Sequence, residues 1–191
     1  MRLILASQSP RRREMLALMG YAYEIVVSDA DEHVPPCAPA EFVERLALRK
    51  AEAVFPSYGD CCVVGADTIV YLDGSIIGKP ADASDAFRIL RTLSGRTHTV
   101  YTGVAVLSGM RRIVFHDAAE VTFAPLSDEE IHAYIATGEP LDKAGAYGIQ
   151  GPGSLLVERL EGCYFTIIGM PNPKLYRALA SVGVLPRWMQ P

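Results

Sequence analysis

The stretch RLILASQSPRRREMLALMG, residues 2–20, decides the fold, because it shows which secondary-structure elements follow one another at the start of the chain. The run Arg2–Ala6 is apolar and of strand length, whereas Arg11–Met19 has the spacing of a helix. Between them, Ser9 is placed to cap the helix and Pro10 suits its first turn. The stretch therefore predicts a strand, a turn and a helix in succession.

The same alternation continues along the chain and favours a mixed α/β architecture over an all-helical or all-β one. Further strands are predicted at Tyr23–Val27, Cys62–Tyr71, Ser75–Gly78, His98–Leu107 and Arg112–Phe123, with a hairpin of Ser154–Leu160 and Tyr164–Gly169. Further helices are predicted at about Ala40–Phe55, Asp82–Leu93, Ser127–Thr137 and Lys174–Val182. No repeat or long linker interrupts them, so residues 1–191 are predicted to form a single domain.

The composition limits the class of protein. The 191 residues are 50% apolar and 21% charged, which is typical of one compact domain or two small packed lobes. The net charge of −4 disfavours non-specific nucleic-acid binding, which needs a broad basic surface. No apolar stretch approaches the roughly 20 residues that span a bilayer, and no export signal is visible. Without C-x-x-C pairs, the cysteines indicate reduced thiols, so we expect a cytoplasmic protein that does not bind membranes.

The turn Ser7-Gln8-Ser9-Pro10-Arg11-Arg12-Arg13 is a candidate anion site. Helix N-termini attract phosphate through their backbone N–H groups and dipole, and guanidinium groups bind phosphate in a bidentate manner. Positive charge at this end of a helix opposes the dipole, which suggests a function for the arginines. The pattern predicts phosphate binding by Ser7, Arg11 and Arg12; a solvated basic turn is the alternative.

Lys50 is an anomaly in the predicted helix of residues 40–55. Helical spacing places it in the middle of the apolar stripe formed by Val43, Leu46, Ala47 and Val54. A lysine there either points inward toward a partner or extends its ammonium group to the helix edge, and spacing alone leaves both open.

Asp67 lies in Gly65-Ala66-Asp67-Thr68, inside a strand that should be buried. An unpaired buried carboxylate is unfavourable by several kcal/mol, which a lysine or a metal ion would relieve. Lys50 and Lys79 are the available lysines, and Glu32 is a second carboxylate that could share a cation such as Mg²⁺. A purely structural Asp–Lys salt bridge remains the alternative.

The glycine-rich loop Leu141–Gly151 has the sequence LDKAGAYGIQG, which is neither a P-loop nor a dinucleotide fingerprint. Its small residues would allow the backbone to approach a ligand, and the amide of Gln150 could pair with the edge of uracil or thymine. An ordered Ω-loop without a ligand is the structural alternative.

Taken together, these motifs resemble the Maf nucleotide pyrophosphatases, in the same order and over essentially the whole chain. They are SQSPRR at residues 7–12, GADT at 65–68, GKP at 78–80, LSGRTH at 93–98 and DKAGAYGIQG at 142–151. The one departure noted, Gly169-Met170-Pro171 in place of Gly-Leu-Pro, exchanges one apolar side chain for another.

The resemblance implies an extended mixed β-sheet flanked by helices in two lobes, a nucleotide cleft and a homodimer. It implies hydrolysis of dTTP and UTP to the monophosphate and pyrophosphate with Mg²⁺ or Mn²⁺, clearing non-canonical pyrimidine nucleotides. It also implies that Asp67 is the proton acceptor and that Arg11, Thr68 and Gln150 influence substrate choice. A nucleotide-binding regulator of septum formation and an enzyme for modified pyrimidine nucleotides are the alternatives.

Overall fold

The structure is a computed structural model that describes residues 1–57, 60–109 and 111–190. Its strands are β1 (Arg2–Ala6), β2 (Glu24–Ile25), β3 (Cys61–Leu72), β4 (Ser75–Ile77), β5 (Thr97–Ser108), β6 (Arg111–Phe123) and β7 (Val157–Gly162). Its helices are α1 (Pro10–Leu18), α2 (Pro39–Val54), α3 (Ala83–Leu93), α4 (Asp128–Ala136), α5 (Tyr164–Ile168) and α6 (Asn172–Ser181). None of these helices is long and apolar enough to cross a membrane.

The strands form one mixed sheet in the order β2-β1-β3-β5-β6-β7, with β4 paired to β3. Strand β1 runs parallel to β2 and to β3, and its residue Ala6 pairs with Gly65. Strands β3 and β4 form an antiparallel pair, as do β6 and β7. The prediction of an α/β fold with an extended mixed sheet and flanking helices is confirmed.

The chain divides into two compact units. The first comprises the described residues of Met1–Asp67, Thr102–Asp117 and Gly169–Pro191, and the second comprises Thr68–Tyr101 and Ala118–Ile168. The long strands β3, β5 and β6 contribute residues to both units. In β3 the change of unit falls at the peptide bond after Asp67.

The core of the first unit lies where α2 covers the sheet. The buried side chains of α2 lie at helical spacing, as the sequence predicts. Strands β1, β3 and β5 are buried along most of their length, and the side chains that meet α2 lie at alternate positions. Together they form the cluster of Ile4, Ala6, Ala47, Ala51, Val54, Cys61, Val63, Ala105 and Leu107.

The core of the second unit is richer in aromatic and larger aliphatic side chains. Helices α3 and α4 contribute Leu90, Leu93 and Ile131, which are fully buried with Phe123 of β6. Helix α4 begins with a capping box in which Ser127 and Glu130 each accept a hydrogen bond from the other's backbone N–H.

Two local predictions were wrong. Ser9 precedes α1, but its side chain makes no capping hydrogen bond. The segment Tyr164–Gly169 does not form a hairpin strand: β7 pairs with β6, and residues 164–168 form α5. The chain leaves β7 at Gly162, whose φ of +108° favours glycine. Because a short apolar run fits a buried strand and a buried helical turn equally well, periodicity could not distinguish them.

Candidate active site

Lys50 and Asp67 form a buried ion pair in the first unit. The Lys50 Nζ lies 2.7 Å from Asp67 Oδ1 and 2.9 Å from Glu32 Oε1. The side chains of Lys50 and Asp67 are 14% and 12% exposed, whereas that of Glu32 is 66% exposed. Of the two orientations that the spacing left open for Lys50, the structure shows the inward one, and its ammonium group is the partner of the carboxylate in β3.

Two glycines bring α2 close enough to the sheet to make this contact. A Cβ atom at Gly65 would lie 2.3 Å from the carbonyl oxygen of Ala47, and one at Gly103 would lie 2.2 Å from that of Val43. Both distances are far below van der Waals contact, so only glycine fits. The helix backbone packs directly on β3 and β5, and the next turn of the helix places Lys50 beside Asp67.

Arg12 of α1 is held in place by two parts of the first unit. Its Nε donates to the carbonyl oxygen of Gly169 at 3.0 Å, and its Nη1 donates to Ser7 Oγ at 3.3 Å. Ser7 Oγ also accepts from the backbone N–H of Ser9 at 3.1 Å. The hydroxyl that the sequence assigned to anion binding thus orders both the turn and the guanidinium group.

The electrostatics of Arg12 link it to the Lys50–Asp67 pair. Burial lowers the pKa of its guanidinium group, the negative charge of Asp67 raises it, neighbouring Arg11 lowers it, and Glu32 raises it. Three cationic side chains and two carboxylates therefore influence one another in the first unit. An excess of positive charge around a buried carboxylate is suited to an anionic substrate attacked by water.

The structure distributes the predicted site residues over both units. The first unit contains Ser7, Arg11, Arg12, Glu32, Lys50 and Asp67. The second unit contains Thr68, Lys79 and Gln150. Lys79 and Gln150 are exposed, and Thr68 is partly buried in β3.

Within the second unit, the segment of Lys79 is joined to the glycine-rich loop. The backbone N–H of Gly145 donates to the carbonyl oxygen of Gly78 at 3.0 Å. A Cβ at Gly145 would lie 2.7 Å from Val70 Cγ2, so this loop also packs closely on β3. Lys79 borders a cavity of about 440 Å³ that is also lined by Leu72, Ile77, Arg88 and Ile89.

A neutral polar pair lies behind the glycine-rich loop. His98 Nε2 is 2.9 Å from Tyr147 Oη, and Phe123 packs edge-to-face against both rings. Burial lowers the pKa of His98 to about 4, so the imidazole is neutral near pH 7.

Sequence reasoning missed the residues that support the site from other elements. Gly169 contributes a carbonyl oxygen to Arg12, although its motif suggested only an apolar turn. Tyr134 and Glu139 accept hydrogen bonds from the backbone of the glycine-rich loop, at Gly148 and Gly153. The available signal was the position of Glu139 two residues before the glycine-rich loop.

An α/β fold that surrounds a strand carboxylate with cationic side chains is suited to a protein that acts on anionic, phosphorylated substrates. The profile of the family described as Maf-like protein matches residues 2–182. The chain belongs to the Maf family.

Curated relatives match over nearly their whole length. The dTTP/UTP pyrophosphatase of Bacillus cytotoxicus is 50% identical over 92% of this chain and 93% of its own. That of Symbiobacterium thermophilum is 50% identical over 95% of this chain and 94% of its own. A solved structure, that of the Staphylococcus aureus Ham1 protein, covers 65% of this chain and 72% of its own with 14% identity and a TM-score of 0.49.

Proposed function

We propose that the protein hydrolyses dTTP and UTP to the nucleoside monophosphate and pyrophosphate. The observation that carries the proposal is the buried Asp67 carboxylate, held 2.7 Å from the Lys50 ammonium in a cluster with Arg11 and Arg12. Its relatives at 50% identity are named for this activity. A regulator that binds nucleotide without turnover is not favoured, because such a regulator does not need a general base.

In the proposed reaction, Asp67 is the proton acceptor. The oxygen of a water molecule forms a bond to the α-phosphorus, and the bond from that phosphorus to the bridging oxygen breaks. Pyrophosphate leaves with the electron pair, and the proton of the water passes to the carboxylate. The hydrogen bond from Lys50 to Oδ1 fixes the orientation of the carboxylate.

The phosphates require cationic groups whose positions are set before the substrate binds. Arg12 meets this requirement because Ser7 and Gly169 restrain its guanidinium group. We assign Ser7, Arg11, Arg12 and Lys50 to the phosphate groups. Lys79, exposed at the end of the β4 segment, is assigned to the same role.

The donor set also fits a divalent cation, Mg²⁺ or Mn²⁺. Glu32 and Asp67 each bring a carboxylate oxygen within 2.9 Å of the Lys50 ammonium, so the two carboxylates lie close enough to share a cation bound beside it. No group of three or more His, Cys, Asp or Glu side chains in residues 1–57, 60–109 and 111–190 could hold a metal. The two carboxylates would therefore hold the ion together with phosphate oxygens, which is the usual arrangement for Mg²⁺. When bound, the ion would neutralise part of the triphosphate charge.

Base recognition is assigned to Gln150, with Thr68 and Arg11 contributing to substrate choice. An amide can pair with the carbonyl and imide groups that uracil and thymine share. The two bases differ by a methyl group, which is worth only about 1–3 kcal/mol, whereas a mismatched hydrogen-bonding edge can be rejected by about 10⁴-fold. We therefore expect the enzyme to use both dTTP and UTP and to exclude purine nucleotides.

Three further features are part of the proposal: a homodimer, a cytoplasmic location, and a role in clearing non-canonical pyrimidine nucleotides. The experiment for the first is light scattering of the purified chain. The test for the last is turnover of modified uridine and cytidine triphosphates beside the unmodified ones.

The activity is tested by measuring pyrophosphate and phosphate release from dTTP, UTP, CTP, GTP and 7-methyl-GTP with Mg²⁺ or Mn²⁺. We expect pyrophosphate from dTTP and UTP and almost none from the guanine nucleotides. Release of phosphate instead would overturn cleavage at the α-phosphorus. Nucleotide binding without release of pyrophosphate or phosphate would overturn the proposal of an enzyme and would favour the nucleotide-binding regulator.

A further inference from the structure

The segment Gly148–Gly153, which contains Gln150, is anchored at both ends by side chains from another part of the second unit. The backbone N–H of Gly148 donates to Tyr134 Oη at 3.0 Å. The backbone N–H of Gly153 donates to Glu139 Oε2 at 2.9 Å. Gln150 lies between the two anchored residues.

The glycines of this segment are required by close packing on the two anchors. A Cβ at Gly151 would lie 2.0 Å from Glu139 Oε1, and one at Gly153 would lie 2.5 Å from Tyr134 Oη. No larger residue fits at either position without displacing the anchor or the segment. The glycines at 151 and 153 therefore reflect contact with Glu139 and Tyr134, respectively.

Tyr134 and Glu139 also interact with each other. Burial raises the pKa of Tyr134, the hydrogen bond from Gly148 lowers it, and the neighbouring Glu139 carboxylate raises it, so the hydroxyl group stays protonated. Lys143 Nζ donates to the backbone carbonyl oxygen of Glu139 at 2.7 Å and holds the near end of the loop. The two neighbouring side chains thus anchor the two ends of the segment, Tyr134 at Gly148 and Glu139 at Gly153.

The side chain of Gln150 has no such support. It is exposed, and its amide makes no hydrogen bond with another residue of the described chain. The anchors therefore act on the backbone of Gln150 and limit the region that its amide can reach. An amide that discriminates between base edges must be held within a few tenths of an ångström, because a displaced donor or acceptor loses its selectivity.

We propose that Tyr134 and Glu139 are positioning residues for base recognition: they fix the backbone of Gly148–Gly153, so that the amide of Gln150 is presented to the base from one place. The inference rests on the proposed function, in which Gln150 pairs with the uracil or thymine edge. Cytosine presents an amino group where uracil has a carbonyl group, so the ratio of dTTP to CTP turnover measures how well the amide is fixed.

The experiment measures kcat and KM for dTTP and CTP in wild type, Tyr134→Phe, Gln150→Ala and the double variant. In Tyr134→Phe, we expect the ratio of kcat/KM for dTTP over CTP to fall about tenfold through KM, with kcat for dTTP changed less than about threefold. In the Gln150→Ala background, Tyr134→Phe should change the ratio by less than about twofold, because a positioning residue acts only through the group it positions.

Glu139 provides a second series should Tyr134→Phe fail to fold. Glu139→Gln retains an oxygen acceptor for Gly153, and Glu139→Ala does not, so the dTTP preference should fall in the order wild type, Gln, Ala. Tyr164→Phe, which removes an exposed hydroxyl elsewhere in the unit, is the matched control and should leave the ratio unchanged.

The outcomes separate the two proposals. A wild type that releases no pyrophosphate overturns both, because the positioning role depends on the activity. A wild type that prefers dTTP, together with variants of Tyr134 and Glu139 that keep the same ratio, overturns the positioning role alone. If Tyr134→Phe lowered the dTTP/CTP ratio of kcat/KM equally in wild type and in the Gln150→Ala background, the residue would support the fold in general and would not act through Gln150.

Discussion

Both units bury polar side chains, but they do so in opposite ways. The first unit buries charges, since Lys50 and Asp67 face each other at 2.7 Å with Arg12 in electrostatic range. The second unit buries neutral groups: His98, whose pKa burial lowers to about 4, is hydrogen-bonded to Tyr147, whose pKa burial raises.

The difference indicates a division of labour. Buried charges contribute little net stability, because desolvation offsets their attraction, but they provide a strong field for a developing negative charge. Buried neutral pairs are satisfied at smaller desolvation cost and support the packing around them. Changes in the Lys50–Asp67 pair should therefore affect turnover most, and changes in the His98–Tyr147 pair should affect stability and its dependence on pH.

The largest effect is expected for Asp67→Asn. Without a proton acceptor, kcat for dTTP should fall by about 10³-fold. Folding should be retained because Lys50 keeps Glu32 at 2.9 Å, so the melting temperature should stay within about 5 °C of wild type. Asp128→Asn, which alters an exposed carboxylate paired with Arg91, is the control. Wild-type turnover in Asp67→Asn would show that Asp67 is not the proton acceptor and that its pair with Lys50 is a purely structural salt bridge.

The next effect is a dependence of stability on pH carried by His98. Because its folded pKa of about 4 lies below the unfolded value of 6.5, the unfolded chain binds the proton first as pH falls. The contribution of neutral His98 to the free energy of unfolding is fully present above about pH 6.5. It should fall by about 3 kcal/mol by about pH 4. The free energies of unfolding of wild type and His98→Gln, measured by denaturation at each pH, should therefore converge as the pH falls over that range. A constant difference between them would show that His98 titrates normally.

Gly65→Ala should lower the free energy of unfolding by an intermediate amount. Its Cβ would lie 2.3 Å from the Ala47 carbonyl oxygen, so α2 must move away from the sheet, with a loss of about 1–3 kcal/mol. The shift also moves Lys50, so kcat should fall together with stability. Gly78→Ala, where the added Cβ meets no atom within 4 Å, is the control for stability in urea denaturation. Equal stability of both variants would refute the close approach of α2.

The smallest effect is expected at the capping box of α4. Ser127→Ala removes the acceptor for the backbone N–H of Glu130 and should lower stability by about 1 kcal/mol. Because this exposed cap has no part in the proposed site, kcat for dTTP should be unchanged. A loss of turnover without a loss of stability would contradict this separation of the cap from the site.

The sequence predicted elements that carry a strong periodic or apolar signal. The expected helix of residues 40–55 is α2, Pro39–Val54, and the expected first strand agrees with β1. The same stripe predicted that Lys50 lies on the apolar face of α2 but left its orientation open, and the buried strand predicted that Asp67 needed a cation. These predictions succeeded because each rests on residues within one element.

Contacts between distant segments could not be predicted in this way. Glu32 lies in a segment without periodicity, so its pairing with Lys50 at 2.9 Å had no local signal. The anchors of the glycine-rich loop, Tyr134 and Glu139, become visible only when the loop packs back on them. The helical turn at Tyr164–Ile168 was missed because five residues are too few to define a period.

The most direct test of the central claim, that Lys50 and Asp67 act as one catalytic pair, is a double-mutant cycle on kcat for dTTP. The variants are Asp67→Asn, Lys50→Met and their combination, each compared with wild type in pyrophosphate release. We expect each single variant to lose about 10²-fold or more, and the double variant to lose less than about tenfold beyond Asp67→Asn, because residues that act as a unit are not additive. Single variants with turnover close to wild type would contradict the claim.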